Sequence, residues 1–193
     1  MAPREPSEPK DASEAALDHA MVERVRAGER QAFADLVKKH RAGTQRLIRG
    51  YVASDEEAED VTQETFLRVL RAIDSFRGEA SFRTWLYRIA VNGALNHARD
   101  QKRGRAVSIE EVDLITNALG TAKMSAREAR RKIAEALELL PPKQRLVVEL
   151  RLVHEMPFRA IAGIAGSSED AARANFQHAV KRLRALLAEP GPT

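Results

Sequence analysis

The chain has 193 residues, 44% of them hydrophobic and 31% charged, with a net charge of +4; that is room for one domain or two small ones with modest cores. It contains no cysteine, which excludes disulfides, cysteine zinc sites and thiol chemistry and fits a reducing cytoplasm. Its apolar runs fall far short of a membrane span, and the Pro- and Glu-rich start "MAPREPSEPKDASEA" offers no apolar stretch for a signal peptide, so no membrane insertion is expected.

Almost every segment has helical period, so the expected fold is all-α. Residues 1–15 are expected to be a disordered extension. A short helix from Ser13 to Ala27 should end at Gly28, and the spacing of Phe33, Leu36, Val37, Leu47, Ile48 and Tyr51 predicts a second. A third runs from Ser54 to about Ser75. Ser54 with Glu57 reads as a capping box, and acids in the first turn complement the helix dipole. Six carboxylates nevertheless fall within the eleven residues from Ser54 to Glu64, and Asp60 and Glu64 lie beyond the first turn. At about 100° per residue, Ala58, Thr62, Phe66, Val69 and Ile73 share one face, while Glu56, Asp60, Gln63, Glu64 and Leu67 share the opposite one. A leucine rimmed by carboxylates suits docking of a basic helix; a merely solvated face is the other reading.

"FRGEAS" breaks this helix, and Ser81 can cap a fourth that carries Phe82, Leu86, Ile89 and Ala90. Residues 76–106 sum to +5, against −5 for residues 54–75. Phe76, Phe82, Trp85 and Tyr87 stand among Arg77, Arg83 and Arg88, with Arg99, Lys102, Arg103 and Arg105 following. Aromatic rings with arginines suit single-stranded nucleic acid, but Phe82 and Trp85 read more readily as core. The loop and the polar residues after it, Arg77, Ser81, Arg88, Asn92 and Asn96, are the better base and backbone contacts, because each amide both donates and accepts.

Residues 104–124 lose the period and read as a flexible linker between two domains, residues 16–103 and 125–188. The second domain begins a helix near Ser125, and Pro142 suits the first turn of the next. After a break at "HEMP", "FRAIAGIAG" leads through Gly166 into "SSEDAARANFQHAVKRLRALLAE", with Ser167 or Ser168 as cap and Asp170 as a box partner for Ser167. Ala172, Phe176, Ala179, Val180 and Leu183 should face inward; Asp170, Arg173, Ala174, Gln177, His178 and Lys181 should face outward. This is the pattern of a helix-turn-helix reading a major groove, or of a plain helical hairpin. Arg173 is the candidate base reader, and Arg159, Arg182 and Arg184 the candidate phosphate contacts. Residues 189–193 should fray.

"DVTQETF", "SFRGEASFRTWLYRIAVNGALNHAR" and "LPPKQRLVVELR" with the helices after it resemble regions 2.2, 2.3–2.4 and 4 of the sigma-70 family, in the extracytoplasmic-function (ECF) subgroup, over roughly residues 20–103 and 126–188. The resemblance implies a region 2 helical bundle and a region 4 helix-turn-helix in a transcription initiation factor. Asp60, Gln63, Glu64 and Leu67 would dock on the beta-prime clamp helices of core RNA polymerase, which also contributes its beta subunit. Phe76, Arg77, Ser81, Arg88, Asn92 and Asn96 would recognise and melt the minus-10 element, with Asn92 helping to hold a flipped base. Arg173, Ala174, Gln177, His178 and Lys181 would read the minus-35 element. An anti-sigma factor is implied as a further partner, and the cytoplasm, at the nucleoid, as the location. Asn175, Gln177 and His178 depart from the basic residues common on this helix in the family, and Glu169 and Asp170 weaken phosphate attraction at its start.

No enzyme and no cofactor are expected. "HEMPF" begins like a metalloprotease helix but has Phe158 where a second His is needed; there is no P-loop and no dinucleotide turn. Two other classes remain open to the residues alone: a free-standing helix-turn-helix regulator, and a helical adaptor whose acidic face binds a basic protein.

Overall fold

The computed structural model describes residues 8–100, 112–115, 119 and 126–188, and every regular element among them is helical. They fall into two compact units, one within residues 6–106 and one within residues 107–193.

The N-terminal unit contains α1 (Glu8–Arg26), α2 (Arg30–Arg49), α3 (Asp55–Ala72), a 3-10 turn (Ile73–Ser75) and α4 (Phe82–Asp100). α1 begins at Glu8, inside the stretch expected to be disordered. Pro9 falls in its first turn, where a missing N–H costs nothing. α2 packs against α1, α3 and α4, and α3 packs against α4. α3 starts as its sequence demands: Ser54 Oγ accepts the Glu57 N–H at 3.1 Å. The Glu57 carboxylate reaches back to the Ala53 N–H, also at 3.1 Å, one residue earlier than a capping box would use. Ala58, Val61, Thr62, Thr65, Phe66 and Val69 form its buried face. The hydroxyls of Thr62 and Thr65 donate to the carbonyls of Ala58 and Val61, which leaves neither orphaned.

Phe76, Phe82 and Trp85 make one aromatic cluster, with ring centroids 5.5–5.8 Å apart, and the His40 ring lies 5.3 Å from Phe82. Burying each such ring contributes about 1.5–3 kcal/mol. Beside it, the buried Asp18 accepts from Lys39 Nζ at 2.6 Å and pairs with His40 Nε2 at 3.0 Å. Burial pushes the Asp18 carboxyl up; the hydrogen bonds and charges of His40 and Lys39 outweigh it and hold the carboxyl below its ordinary 3.8. The unfolded carboxyl therefore takes up its proton first, and the folded one only at lower pH. This part of the stability is fully present above the ordinary value and is lost as pH falls through the folded one. Melting temperatures followed downward through about pH 4 should fall less steeply in Asp18→Asn than in the native protein.

Gly43 in α2 faces buried Tyr87, whose phenol is pushed up by that burial. A Cβ at Gly43 would stand 2.7 Å from the Tyr87 hydroxyl oxygen, with the ring carbon behind it at 3.9 Å. Gly43→Ala should cost about 1–3 kcal/mol through overpacking. Adding Tyr87→Phe should recover most of that loss, and urea unfolding of the double-mutant cycle measures it.

The C-terminal unit contains α5 (Ala126–Glu138), α6 (Pro142–Leu152), α7 (Phe158–Ala165) and α8 (Glu169–Ala188), with α8 packed against the other three. Pro142 opens α6 as expected, and every residue from Arg145 to Arg151 is buried. The break at "HEMP" is a turn in which Glu155 takes a positive φ of 53° and the Met156 N–H closes onto the Leu150 carbonyl at 2.9 Å. Residues 112–115 are helical, bury Val112 and Ile115, and cluster with this unit. They lie inside the segment read as a linker, because one turn is too short to display a period. The rest of that segment apart from Leu119, the first seven residues and the 189–193 tail lie outside the described residues.

Candidate functional site

Two surfaces of the N-terminal unit and one of the C-terminal unit gather the residues singled out in the sequence. On α3, Asp60, Gln63 and Leu67 are exposed and Glu64 is half-buried, with Leu67 showing 48% of its surface. Around them Glu59 is taken by Arg41 and by Gln45 (3.2 Å), and Glu64 by Arg68 (3.0 Å). Among the described residues the Asp60 side chain makes no ion pair or hydrogen bond. Exposed pairs of the Glu64–Arg68 kind are worth little, so an incoming cation displaces them at small cost.

Beside this face an open groove of about 270 Å³ runs along the junction of α3 and α4. Asp60, Glu64 and Arg68 line one side, and Gly93, Asn96, His97 and Asp100 the other. The Arg68 guanidinium lies across Gly93, 3.5 Å from where a Cβ would stand. The sequence put Asp60 and Asn96 on separate surfaces; the fold makes them neighbours on one groove. Its walls are 25 or more residues apart in the chain, which hides it from any local pattern.

Along α4, Arg88, Asn92 and Asn96 are exposed at intervals of four and form one row. Arg77, Gly78, Glu79 and Ala80 ahead of the helix are all exposed, and Gly78 takes a φ of 73° that favours glycine. Ser81 spends its hydroxyl on the helix start, accepting the Thr84 N–H at 3.2 Å and lying 2.9 Å from the Thr84 hydroxyl. Phe82 and Trp85 are core, in line with their spacing. Phe76 corrects its assignment as a strand contact: it is only 4% exposed, wedged between Phe82 and Trp85, and offers no face to a base. Its flanking Arg77 drew it into the basic set; the apolar neighbours decided its place.

The sequence missed what holds this loop. Arg26 at the end of α1 donates from Nη2 to the carbonyls of Ile73 (2.8 Å), Asp74 (3.3 Å) and Phe76. Its partners are backbone atoms 47 to 50 residues away, so no motif announces it.

In the C-terminal unit Gly166 adopts the left-handed conformation (φ 60°), and the Gly166 and Ser167 N–H groups both reach the Ala162 carbonyl, ending α7. Ser168, not Ser167, caps α8, accepting the Ala171 N–H at 3.2 Å; the box between Ser167 and Asp170 does not form. Ala172, Phe176, Ala179 and Leu183 face inward, with Val180 half-buried. Asp170, Arg173, Ala174, Gln177, His178 and Lys181 face outward, as do Arg182, Arg184 and, on α7, Arg159. Asn175 turns back on its own helix, donating to the Ala171 carbonyl at 2.9 Å. Arg173 pairs with Glu169 at 3.0 Å.

No helix of the described residues is long and apolar enough to cross a membrane. Among them no group of three or more His, Asp or Glu is placed to hold a metal.

A helical unit carrying an acidic face, followed by a helix-turn-helix unit, places the chain among the sigma-70 proteins: residues 36–104 match Sigma-70 region 2, and residues 130–183 match Sigma-70 region 4. The chain is 37% identical over 164 residues to the ECF RNA polymerase sigma-E factor of Escherichia coli K12, covering 79% of this chain and 84% of that one. It is 35% identical over 162 residues to its counterpart in Haemophilus influenzae, covering 79% and 85%. Among solved structures it resembles CnrH in complex with the cytosolic domain of CnrY, with a TM-score of 0.67, 26% identity and coverage of 89% and 97%. The fold also matches the sigma factor RpoE of Bartonella quintana, solved with the anti-sigma factor NepR, with a TM-score of 0.61, 18% identity and coverage of 80% and 96%. The chain belongs to the ECF RNA polymerase sigma factors.

Proposed function

We propose that the N-terminal unit docks on core RNA polymerase through Asp60, Gln63, Glu64 and Leu67 and captures the melted minus-10 strand on Arg77, Arg88, Asn92 and Asn96. The C-terminal unit reads the minus-35 element through α8. The observation that carries this reading is Leu67, a half-exposed leucine in a rim of carboxylates. Such a face satisfies a basic, partly apolar helix, of the kind the beta-prime clamp helices would present. On α4, Asn96 at the groove and Asn92 one turn before it offer exposed amides that can both donate to and accept from an unpaired base. Opening the duplex then needs neither ATP nor a nucleophile, because binding the extruded base more tightly than the paired one offsets the few kcal/mol of unstacking.

The factor works in the cytoplasm, at the nucleoid when bound to polymerase. An anti-sigma factor that covers the acidic face is a further partner, by analogy with CnrH, which is solved bound to the cytosolic domain of CnrY. Purified protein added to core polymerase should start transcription at a distinct subset of a promoter library, while the free protein should bind the same promoters weakly. Failure to join polymerase, together with tight binding to a palindromic site without it, would favour a free-standing regulator instead.

A further inference from the structure

Arg173 stands on the outward face of α8, where a long side chain would ordinarily wander. Here its guanidinium carbon sits 4.8 Å from the centre of the Phe158 ring, and Nη2 donates to Glu169 Oε1 at 3.0 Å. Phe158 is the first residue of α7 and is half-buried. Its plane is set from behind: the buried Phe176 ring packs against it nearly edge-on, with centroids 5.5 Å apart. The buried Arg151 guanidinium lies 5.0 Å from the same ring centre and donates to the Met156 carbonyl at 3.0 Å. The turn before α7, the ring and Arg173 thus form one packed series.

The two contacts to Arg173 differ in what they consume. Glu169 occupies part of the N–H edge, the edge that would pair with two acceptors on a base. Phe158 draws the guanidinium through its ring face and is no hydrogen-bond acceptor of the kind a base edge offers. DNA phosphates repel Glu169 and compete with it for the cation, whereas they do not compete for the ring. We propose that Phe158 is a positioning residue that presets Arg173 for bidentate reading of a guanine in the minus-35 element, and that Glu169 is an internal competitor released when DNA binds. This rests on the assignment of Arg173 to minus-35 reading.

The test profiles base preference by transcription with full-length protein and core polymerase. Templates keep one active minus-10 element and carry a randomised minus-35 region. Arg173→Ala should flatten preference at one or two base pairs. Phe158→Leu should weaken preference at the same base pairs roughly tenfold while leaving the others intact, and Phe158→Tyr, which keeps the ring face, should restore it. Glu169→Gln should strengthen minus-35 use without shifting the preferred base. An unchanged profile in Arg173→Ala would remove the underlying assignment. A flattened profile in Arg173→Ala with an unchanged one in Phe158→Leu would overturn the positioning role alone, and so would a uniform loss across all templates in a folded Phe158→Leu. If thermal melting shows Phe158→Leu unfolded, Phe158→Met, which fills similar volume without a ring face, is read in its place.

Discussion

Reversing two charges on α3, Asp60→Arg with Glu64→Arg, is expected to abolish capture by core polymerase while leaving helical content unchanged. Both side chains reach solvent, and both lie past the first turn of the helix, where the dipole no longer favours a carboxylate. The helix itself loses a few tenths of a kcal/mol, chiefly from a like charge set four residues before Arg68. The docked state loses far more. A basic partner that met two carboxylates would meet two guanidiniums, and such juxtaposition costs several kcal/mol, roughly a hundredfold or more in affinity. Co-elution with core polymerase checks binding, and circular dichroism checks the fold. Undiminished retention would remove α3 from the docking surface. Leu67→Ala should give a smaller loss of the same kind with little salt dependence, because it removes apolar contact and no charge.

The second large effect is expected from a residue on neither surface. Arg26→Met removes the donor that gathers the carbonyls of Ile73, Asp74 and Phe76. Hydrogen bonds from a charged donor contribute about 1.5–3 kcal/mol each, and with water replacing part of the loss at this half-buried site we expect about 3 kcal/mol in all. Urea unfolding reads that number. The functional consequence should be selective: polymerase binding persists, because α3 is intact, whereas promoter opening falls, because the exposed loop 77–80 loses its anchor. Arg26→Lys should be intermediate in both, since an ammonium carries the charge without the planar fork. Equal losses of binding and opening would mean that Arg26 serves stability alone.

Local chemistry made much of this molecule legible in advance. The cap at Ser54, the first-turn proline of α6, the turn glycine at 166 and the outward set on α8 each depend on neighbours within one or two helical turns, and each was readable from spacing. Phe76 was misplaced because burial depends on what comes across from other elements, here Phe82 and Trp85, with His19 from α1 nearby. Ser167 and Ser168 were interchangeable on paper; the two N–H groups that converge on the Ala162 carbonyl decide which serine is left to cap. Arg26 and the α3–α4 groove were invisible for the same reason, since both are made by parts of the chain that meet only on folding. The proposed docking face stands out because an exposed leucine among acids is a local anomaly.

α1 carries a last consequence. The recognised region 2 begins at residue 36, after the helix that supplies Arg26, Asp18 and the His19 ring, whose nearest atom is 3.3 Å from where a Cβ on Gly78 would fall. The matched stretch therefore leaves out the helix that anchors the loop. A fragment cut at the family boundary would keep every surface residue named above, yet it would lose the clamp on its loop and leave the buried His40 without its carboxylate. Anyone grafting the proposed promoter specificity onto another factor would have to carry α1 along with the residues proposed to touch DNA.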